Sequence, residues 1–438
     1  MTTTRSLSPN TTGTGSHKQA WTMTLMLVAL YMLNWADKAV LGIVAQPLKD
    51  EFGFTAAQIG LAGSLFYLTF SLGGFLAGPL NRWMGLRWAL VVMAVVWAAS
   101  MLPMVFAASF AVLIASRCLL GLGEGPNSAL ANTAAFSWFP EEKRGLPAAA
   151  ITSGGSIAKI AFAPILAVVT STFGWRAAFI TLAIAALIWI PIWMALWRPG
   201  PYGAEHHPKD GTGTEPTTRA ANRAANRASL RRAMLTPTFI GGFFAATAMY
   251  AIAAMVITWL PSYLEVGLGY SRVAAGSLLA VPSIAAFVCL LSVSALTDRA
   301  VSRGANVRLM RAVIPAIGLV ICGLSLIAVP YIGSAVLVVA LISIGYGLGM
   351  GILPQLNAVM SMIFPRHQVA GGLGIFLALT SLGPLVAPYV SGLIIDGAAN
   401  PADGYATAFQ AIGVVAVIGA VIALLAVNPV RDRAHPDQ

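Results

Sequence analysis

The sequence predicts an all-α membrane protein with twelve transmembrane helices in two pseudo-symmetric six-helix bundles. Three observations lead there. Of 438 residues, 58% are hydrophobic and 9% are charged, with a mean hydropathy of +0.80, whereas soluble domains carry about 25% charged residues. Apolar runs long enough to cross about 30 Å of hydrocarbon recur twelve times. One long polar stretch, rich in Pro, Gly, Thr, Ala and Arg, separates six of these runs from the other six.

In order, residues 1–20 form a polar, Ser/Thr-rich tail. The first apolar run leads into Asn34-Trp-Ala-Asp37-Lys38 and meets no small-residue cleavage site, so it reads as a span and not as a signal peptide. The first bundle, 21–197, has predicted spans at 21–45, 57–80, 87–107, 110–138, 146–172 and 175–197. Residues 198–236 form a linker. Its end, Arg219 to Arg232, reads either as a basic helix on the membrane surface or as a solvated connector. The second bundle, 237–428, has spans at 237–263, 272–297, 309–330, 334–362, 368–394 and 404–428, and 429–438 is a second tail. Cys118, Cys289 and Cys322 sit in apolar runs without ligand spacing, so no metal site or disulfide framework is expected.

The net charge of +11 is distributed as a topology signal, which argues against nucleic acid as a partner. With the termini and the even-to-odd connections on one side, that side holds 20 of the 26 basic residues. The opposite side holds Lys49, Arg176 and Arg272. The bias predicts that both termini are cytoplasmic in a cell inner membrane. The halves repeat weakly. Phe139-Pro140 is echoed by Phe364-Pro365, Pro164 by Pro388, and Gly174-Trp-Arg-Ala-Ala-Phe179 by Gly404-Tyr-Ala-Thr-Ala-Phe409. A duplicated six-helix unit places a site between the halves near the midplane.

Intramembrane charge is confined to the first half, at Asp37, Lys38, Arg117, Glu124 and Lys159. Such residues are costly in hydrocarbon and mark ion or substrate routes; the alternative is a purely structural ion pair. Arg117-Cys-Leu-Leu-Gly-Leu-Gly-Glu124-Gly125-Pro126 sets an arginine and a glutamate two turns apart on one face, with Gly121, Gly123 and Gly125 allowing close helix approach. Counting from the outer span ends puts Asp37, Lys38 and Arg117 at about 12 Å and Glu124 with Lys159 at about 20 Å. Two layers are therefore expected. Three bases and two acids sum to +1, which a monoanion neutralises, and protonating an acid strengthens anion binding, a basis for symport. Glu124 is the expected proton-coupling site and Asp37 the second. Lys38, with Asn34 one turn away, is the expected carboxylate partner. Lys159, on a stripe with Thr152 and Ser156, either contacts substrate or serves as counter-ion to Glu124. Phe70 and Tyr250 are candidate cavity walls, and Gln355, Asn357, Thr380 and Ser381 are polar candidates from the second half.

Five segments carry a family resemblance. They are Gly78-Pro-Leu80-Asn81-Arg82-Trp-Met-Gly85-Leu-Arg87, its echo Leu296-Thr-Asp298-Arg299, the Asn34–Lys38 motif, the Arg117–Pro126 motif and Trp259-Leu-Pro261-Ser-Tyr263-Leu. Over essentially its whole length the chain resembles the major facilitator superfamily, and within it the anion:cation symporter branch of bacterial D-galactonate and hexuronate proton symporters. The resemblance implies alternating access without a cofactor, driven by a proton gradient, in a monomer. It implies a gating loop at Gly78, Asn81, Arg82, Gly85 and Arg87, echoed by Asp298 and Arg299. It implies proton binding at Asp37 and Glu124, a substrate carboxylate on Lys38, and Arg117 pairing with the acids.

There are departures from the family pattern. Asn81 replaces the loop acid, Lys38 an arginine, Phe70 a tyrosine and Gly155 a glutamine, while Lys159 is added. Fewer hydroxyl and amide contacts favour a less polar monocarboxylate over a sugar acid. The competing reading is a proton-coupled exporter of metabolites or drugs. Span five, Ser153-Gly-Gly-Ser-Ile-Ala-Lys-Ile-Ala-Phe-Ala-Pro164, lacks the exporter motif of the superfamily. No nucleotide loop or nucleophile triad is present, so no enzyme is expected.

Overall fold

The computed structural model describes residues 17–107, 109–140, 144–202, 230–364 and 369–433. Most of both tails, most of the linker including the stretch from Arg219, and His367 lie outside the described residues.

The first half consists of α1 (His17–Phe52), α2 (Ala56–Gly74), α3 (Ala77–Phe106), α4 (Phe110–Glu124), α5 (Asn127–Phe136), α6 (Gly145–Phe173) and α7 (Trp175–Leu196). The second begins with α8 (Pro237–Ser262), which ends in a π-turn, followed by α9 (Arg272–Leu278) and α10 (Ala280–Ser302) as one broken span. A second π-turn leads into α11 (Ile314–Ala328). Span ten is α12 (Ala335–Met350) plus α13 (Ile352–Ile363), span eleven is α14 (Val369–Thr380) plus α15 (Leu382–Asp396), and span twelve is α16 (Pro401–Ala426).

Among the described residues eleven helices are long and apolar enough to cross a membrane. The remaining predicted span is the α4–α5 pair. It breaks at Gly125-Pro126, because proline offers no N–H and its ring clashes with the carbonyl four residues back. Two predicted boundaries are corrected. Helix α1 continues to Phe52, seven residues past the expected end, with Pro47 accommodated inside it. The Gly78–Arg87 segment, expected as a loop, is helical within α3 apart from Gly85, whose φ of +68° suits glycine.

Glycines set the helix spacing in the first half. A side chain at Gly121 would strike the Phe66 carbonyl and Thr69, and one at Gly125 the Phe70 carbonyl, so α4 lies backbone-close to α2. Gly73 of α2 returns the contact against Leu122. Gly123, expected on the same seam, faces Val96 and Trp97 of α3 instead, because only residues four apart share that face.

The halves meet toward the face opposite the termini, called here the far face. There α2 packs on α15, α6 on α9 and α1 on α8. Gly60 abuts the Pro388 carbonyl, Gly392 the Ala56 carbonyl and Gly42 the Ile257 carbonyl, and a side chain at Gly276 would strike the Ala167 methyl. Asp396, at the end of α15, accepts from the N–H groups of Ala56 (2.8 Å) and Ala57 (2.7 Å). It thereby caps α2 across the halves at the positive end of that helix dipole. Arg272 bridges Asp50 of the first half (3.1 Å) and Glu265 of the second (3.0 Å).

The repeated aromatic positions both hold the end of α1. Trp175 donates to Glu51 at 2.6 Å, and Gln46 donates to the Tyr405 hydroxyl at 2.7 Å. Among the described residues every cross-half hydrogen bond lies in this far half, the last being Tyr389 N–H to Ser64 at 3.2 Å. Toward the termini, Leu72, Phe75, Leu76 and Trp83 stand exposed and a side chain at Gly78 would meet nothing. The halves are latched at the far face.

Replacing Gly60 with leucine puts a side chain into the Pro388 backbone. The expected outcome is a far face that cannot close. Spin labels on the far ends of α2 and α15 then report a wider separation, and transport falls at least about tenfold, since packed interfaces resist overfilling.

Candidate functional site

Three lysine and glutamate side chains share one level. Lys38 is fourteen residues from the far end of α1 at Phe52, Glu124 fourteen from the start of α4 at Phe110, and Lys159 fourteen from the end of α6 at Phe173. At the helical rise each sits about 21 Å in. The expected two layers are thus corrected. The longer α1 moves Lys38 inward to join Glu124, leaving no outer layer with Lys38 in it.

Lys38 Nζ and Glu124 Oε2 form an ion pair at 2.5 Å, with Glu124 completely buried. Lys38 also donates to Asn34 Oδ1 at 2.6 Å and to the Asn34 carbonyl at 3.2 Å, one turn earlier on α1. Three aromatic rings surround the ammonium: Trp35 at 5.3 Å, Phe66 at 5.5 Å and Phe70 at 5.0 Å from ring centroids. Their π faces favour the charged amine in a place where water is scarce. The second oxygen of Glu124, Oε1, is buried and has no partner, and neither does the Asn34 Nδ2 amide. A carboxylate with one oxygen satisfied by a lysine and the other unpartnered is suited to gaining a proton or a new donor.

Arg117 departs from the expected pairing with the acids. Its Nη1 donates at 3.0 Å to the Asp37 backbone carbonyl, its guanidinium lies 5.5 Å from the Phe179 ring, and Nε and Nη2 have no partner. The Asp37 carboxylate has no hydrogen bond or ion pair among the described residues, although the side chain is buried. Arg117 therefore braces α1 against α4 and α7, and its charge stays near Asp37 without direct contact.

Of the two readings open for Lys159, the counter-ion one finds no ion pair to carry it. The lysine forms no ion pair with Glu124 or any other described acid. Its Nζ lies 4.9 Å from the centroid of Trp35, and the residue is 5% exposed. Gly155, one turn earlier on α6, makes room for that indole, since a Cβ there would lie 2.7 Å from Trp35 Nε1.

Of the remaining candidates, Tyr250 of α8 is half-buried near Tyr31 of α1 across the two halves. Gln355 is buried with its Oε1 unpartnered, Asn357 is half-buried, and the Thr380 and Ser381 hydroxyls both donate to the Leu377 carbonyl in their own segment. None of these four bonds to the first-half cluster. In the gating segment Arg87 holds the Met194 carbonyl at 3.1 Å, whereas Asn81, Arg82 and Arg299 make no contact across the halves among the described residues. Asp298 pairs with Arg311 of its own half at 2.7 Å.

At the centre, Trp35 gained only a general cavity-wall role from sequence reasoning and Asn127 gained none. Trp35 was one of many span aromatics, and only its i, i+3 relation to Lys38 hints at its place. Asn127 is buried with both amide atoms unpartnered, immediately after the Gly-Pro break that ends α4.

Among the described residues the site is a buried ion pair between helices of one half. The comparisons agree with the fold. The family model described as Major Facilitator Superfamily matches residues 27–358 and 316–438. A probable galactarate/D-glucarate transporter of Bacillus subtilis (strain 168) is 24% identical, over 95% of this chain and 95% of that protein. A hexuronate transporter of the same organism is 25% identical over 93% and 94%. The crystal structure of a bacterial homolog of the human lysosomal transporter Spinster, inward-facing and occupied, superposes with a TM-score of 0.75 at 20% identity, covering 96% of this chain and 100% of that one. Its sequence motifs, its two six-helix halves and its full-length match to the family model agree: this chain belongs to the Major Facilitator Superfamily and is a multi-pass membrane transporter.

Proposed function

We propose that the protein is a proton-coupled symporter that imports a small organic anion, a monocarboxylate, across the cell inner membrane by alternating access as a monomer. The observation that carries this reading is the Lys38–Glu124 ion pair, buried between α1 and α4 with Asn34 at its side. The organic-anion names of the relatives, galactarate/D-glucarate and hexuronate, support an anionic cargo. The excess of basic residues on the terminal face supports a cytoplasmic position for that face.

The pair supplies the coupling. Removing either charge from a buried pair leaves its partner uncompensated, which is strongly unfavourable. A proton on Glu124 leaves Lys38 without a counter-charge, and a carboxylate from the cargo restores it. Proton and carboxylate therefore favour each other's binding, and the reciprocity of linkage makes the effect run both ways. Loading both adds no net charge to the site, so the loaded and empty forms present the same charge to the far-face latch as the halves rock.

Asn34 holds the lysine in place, and the Trp35, Phe66 and Phe70 rings lie about its ammonium. Asp37, near Arg117, is the second proton site. Tyr250, Gln355, Asn357 and Thr380 form the wall contributed by the uncharged half. Phe70 and Gly155 stand where a sugar acid would need hydroxyl and amide partners, which favours a less polar acid.

Two measurements test the reading. In proteoliposomes with an imposed pH gradient, Glu124→Gln is expected to keep cargo exchange between the two sides while losing proton-driven accumulation by about a hundredfold, as the loss of a 2–3 kcal/mol coupling implies. Unchanged accumulation in Glu124→Gln would remove this residue from the coupling step. In competition assays benzoate is expected to displace labelled cargo at concentrations where galactonate does not, and preference for galactonate would overturn the choice of a less polar acid.

A further inference from the structure

The first half contains a second cationic station that the Lys38–Glu124 pair does not use. Lys159 is 5% exposed, yet its ammonium has no hydrogen bond or ion pair among the described residues. A lysine this deep in a span is expected to have a partner, a role that an anionic ligand can fill. Near Glu124 lie Tyr31, Asp37 and Lys38 of α1, Tyr67 of α2 and Arg117 of its own helix, and Tyr250 of α8 lies by Tyr31. Glu124 is taken by Lys38, and Asp37 lies by Arg117. The surplus positive charge of the cluster therefore resides on Lys159.

Trp35 joins the two stations. Its ring is 4.9 Å from Lys159 Nζ and 5.3 Å from Lys38 Nζ, so the two ammoniums are at most about 10 Å apart along one indole. The indole is seated on Gly155, one turn before Lys159. A flat face flanked by two cations suits a carboxylate attached to a planar body, which stacks while its charge meets a lysine.

We infer that Lys159 and Trp35 form a docking station for the carboxylate of a flat monocarboxylate, filled while Glu124 still holds Lys38. The carboxylate passes along the indole to Lys38 when Glu124 takes a proton. This rests on the proposed symport and adds an order to it: cargo docks first, and the proton then commits it.

The test is equilibrium binding of labelled benzoate, acetate and galactonate to the purified full-length protein at a pH where Glu124 is ionised. Lys159→Met is expected to weaken benzoate binding at least about tenfold, the size of one charge-assisted contact. Lys159→Arg is expected to retain binding. Adding Glu124→Gln to Lys159→Met is expected to restore binding, because Lys38 is then free. A merely structural lysine gives no such rescue. Gly155→Leu, which displaces the indole, is expected to weaken benzoate more than acetate. Wild-type binding by Lys159→Met, or no rescue by Glu124→Gln, overturns the station. If none of the three acids binds the wild type, both the station and the monocarboxylate reading fail. If they bind and Glu124→Gln loses accumulation while Lys159→Met binds normally, only the station fails.

Discussion

One buried ion pair, Lys38 with Glu124, constrains the rest of the first half. Contact between two buried opposite charges offsets part of the cost of burying them, and contact requires α1 and α4 to present them at the same level. Several otherwise unrelated features follow from that requirement. Helix α1 runs on to Phe52, which brings Lys38 level with Glu124. Gly121 and Gly125 draw α4 onto α2, bringing Phe66 and Phe70 against the ammonium. Arg117 grips the Asp37 carbonyl, fixing the stretch of α1 that carries the lysine. The Gly125-Pro126 break ends α4 at its glutamate and leaves Glu124 and Asn127 on separate helices.

The interface between halves follows a different logic. It must hold and release in every cycle, and its contacts are of a kind that separates easily. Gly42, Gly60 and Gly392 place backbone against backbone, so no side chain has to be withdrawn from a pocket when the halves part. The polar contacts are few, and the charged ones are terminal. Asp396 on the α2 N–H groups and Arg272 between Asp50 and Glu265 all have water within reach once broken. Side chains exposed to solvent lose little when such bonds open. Strong, desolvated electrostatics is kept inside one half, where the helices need not separate, and weak electrostatics is placed where they must.

The two halves share an architecture and divide the work. The echoed Trp175 and Tyr405 both reach the end of α1, through Glu51 and Gln46. The charges were not duplicated, and the second half faces the cluster with Tyr250 and apolar surface. A charged residue in both halves would be paired across the seam and hold it shut, so the uncharged partner leaves the pair free to respond to a proton and an anion.

Composition and pattern were enough to read the fold class and, among the described residues, the confinement of intramembrane charge to one half, because hydrocarbon imposes length and polarity on each helix separately. The buried charges were legible too, since a charge in a span is conspicuous. Which charge meets which was not. Depth counted along a helix depends on where the helix ends, and the true end of α1 moved Lys38 from the level of Arg117 to that of Glu124. A long side chain then chooses among neighbours by reach and packing, so Arg117 took a carbonyl and Lys159 turned to an indole. The glycine face chosen by Gly123, the far-face caps and the place of Trp35 between two lysines likewise came from tertiary packing. The sequence by itself determined what must be buried and roughly where along each helix. Only the tertiary structure decided the pairings, because partners on different helices are brought together by packing that no local pattern records.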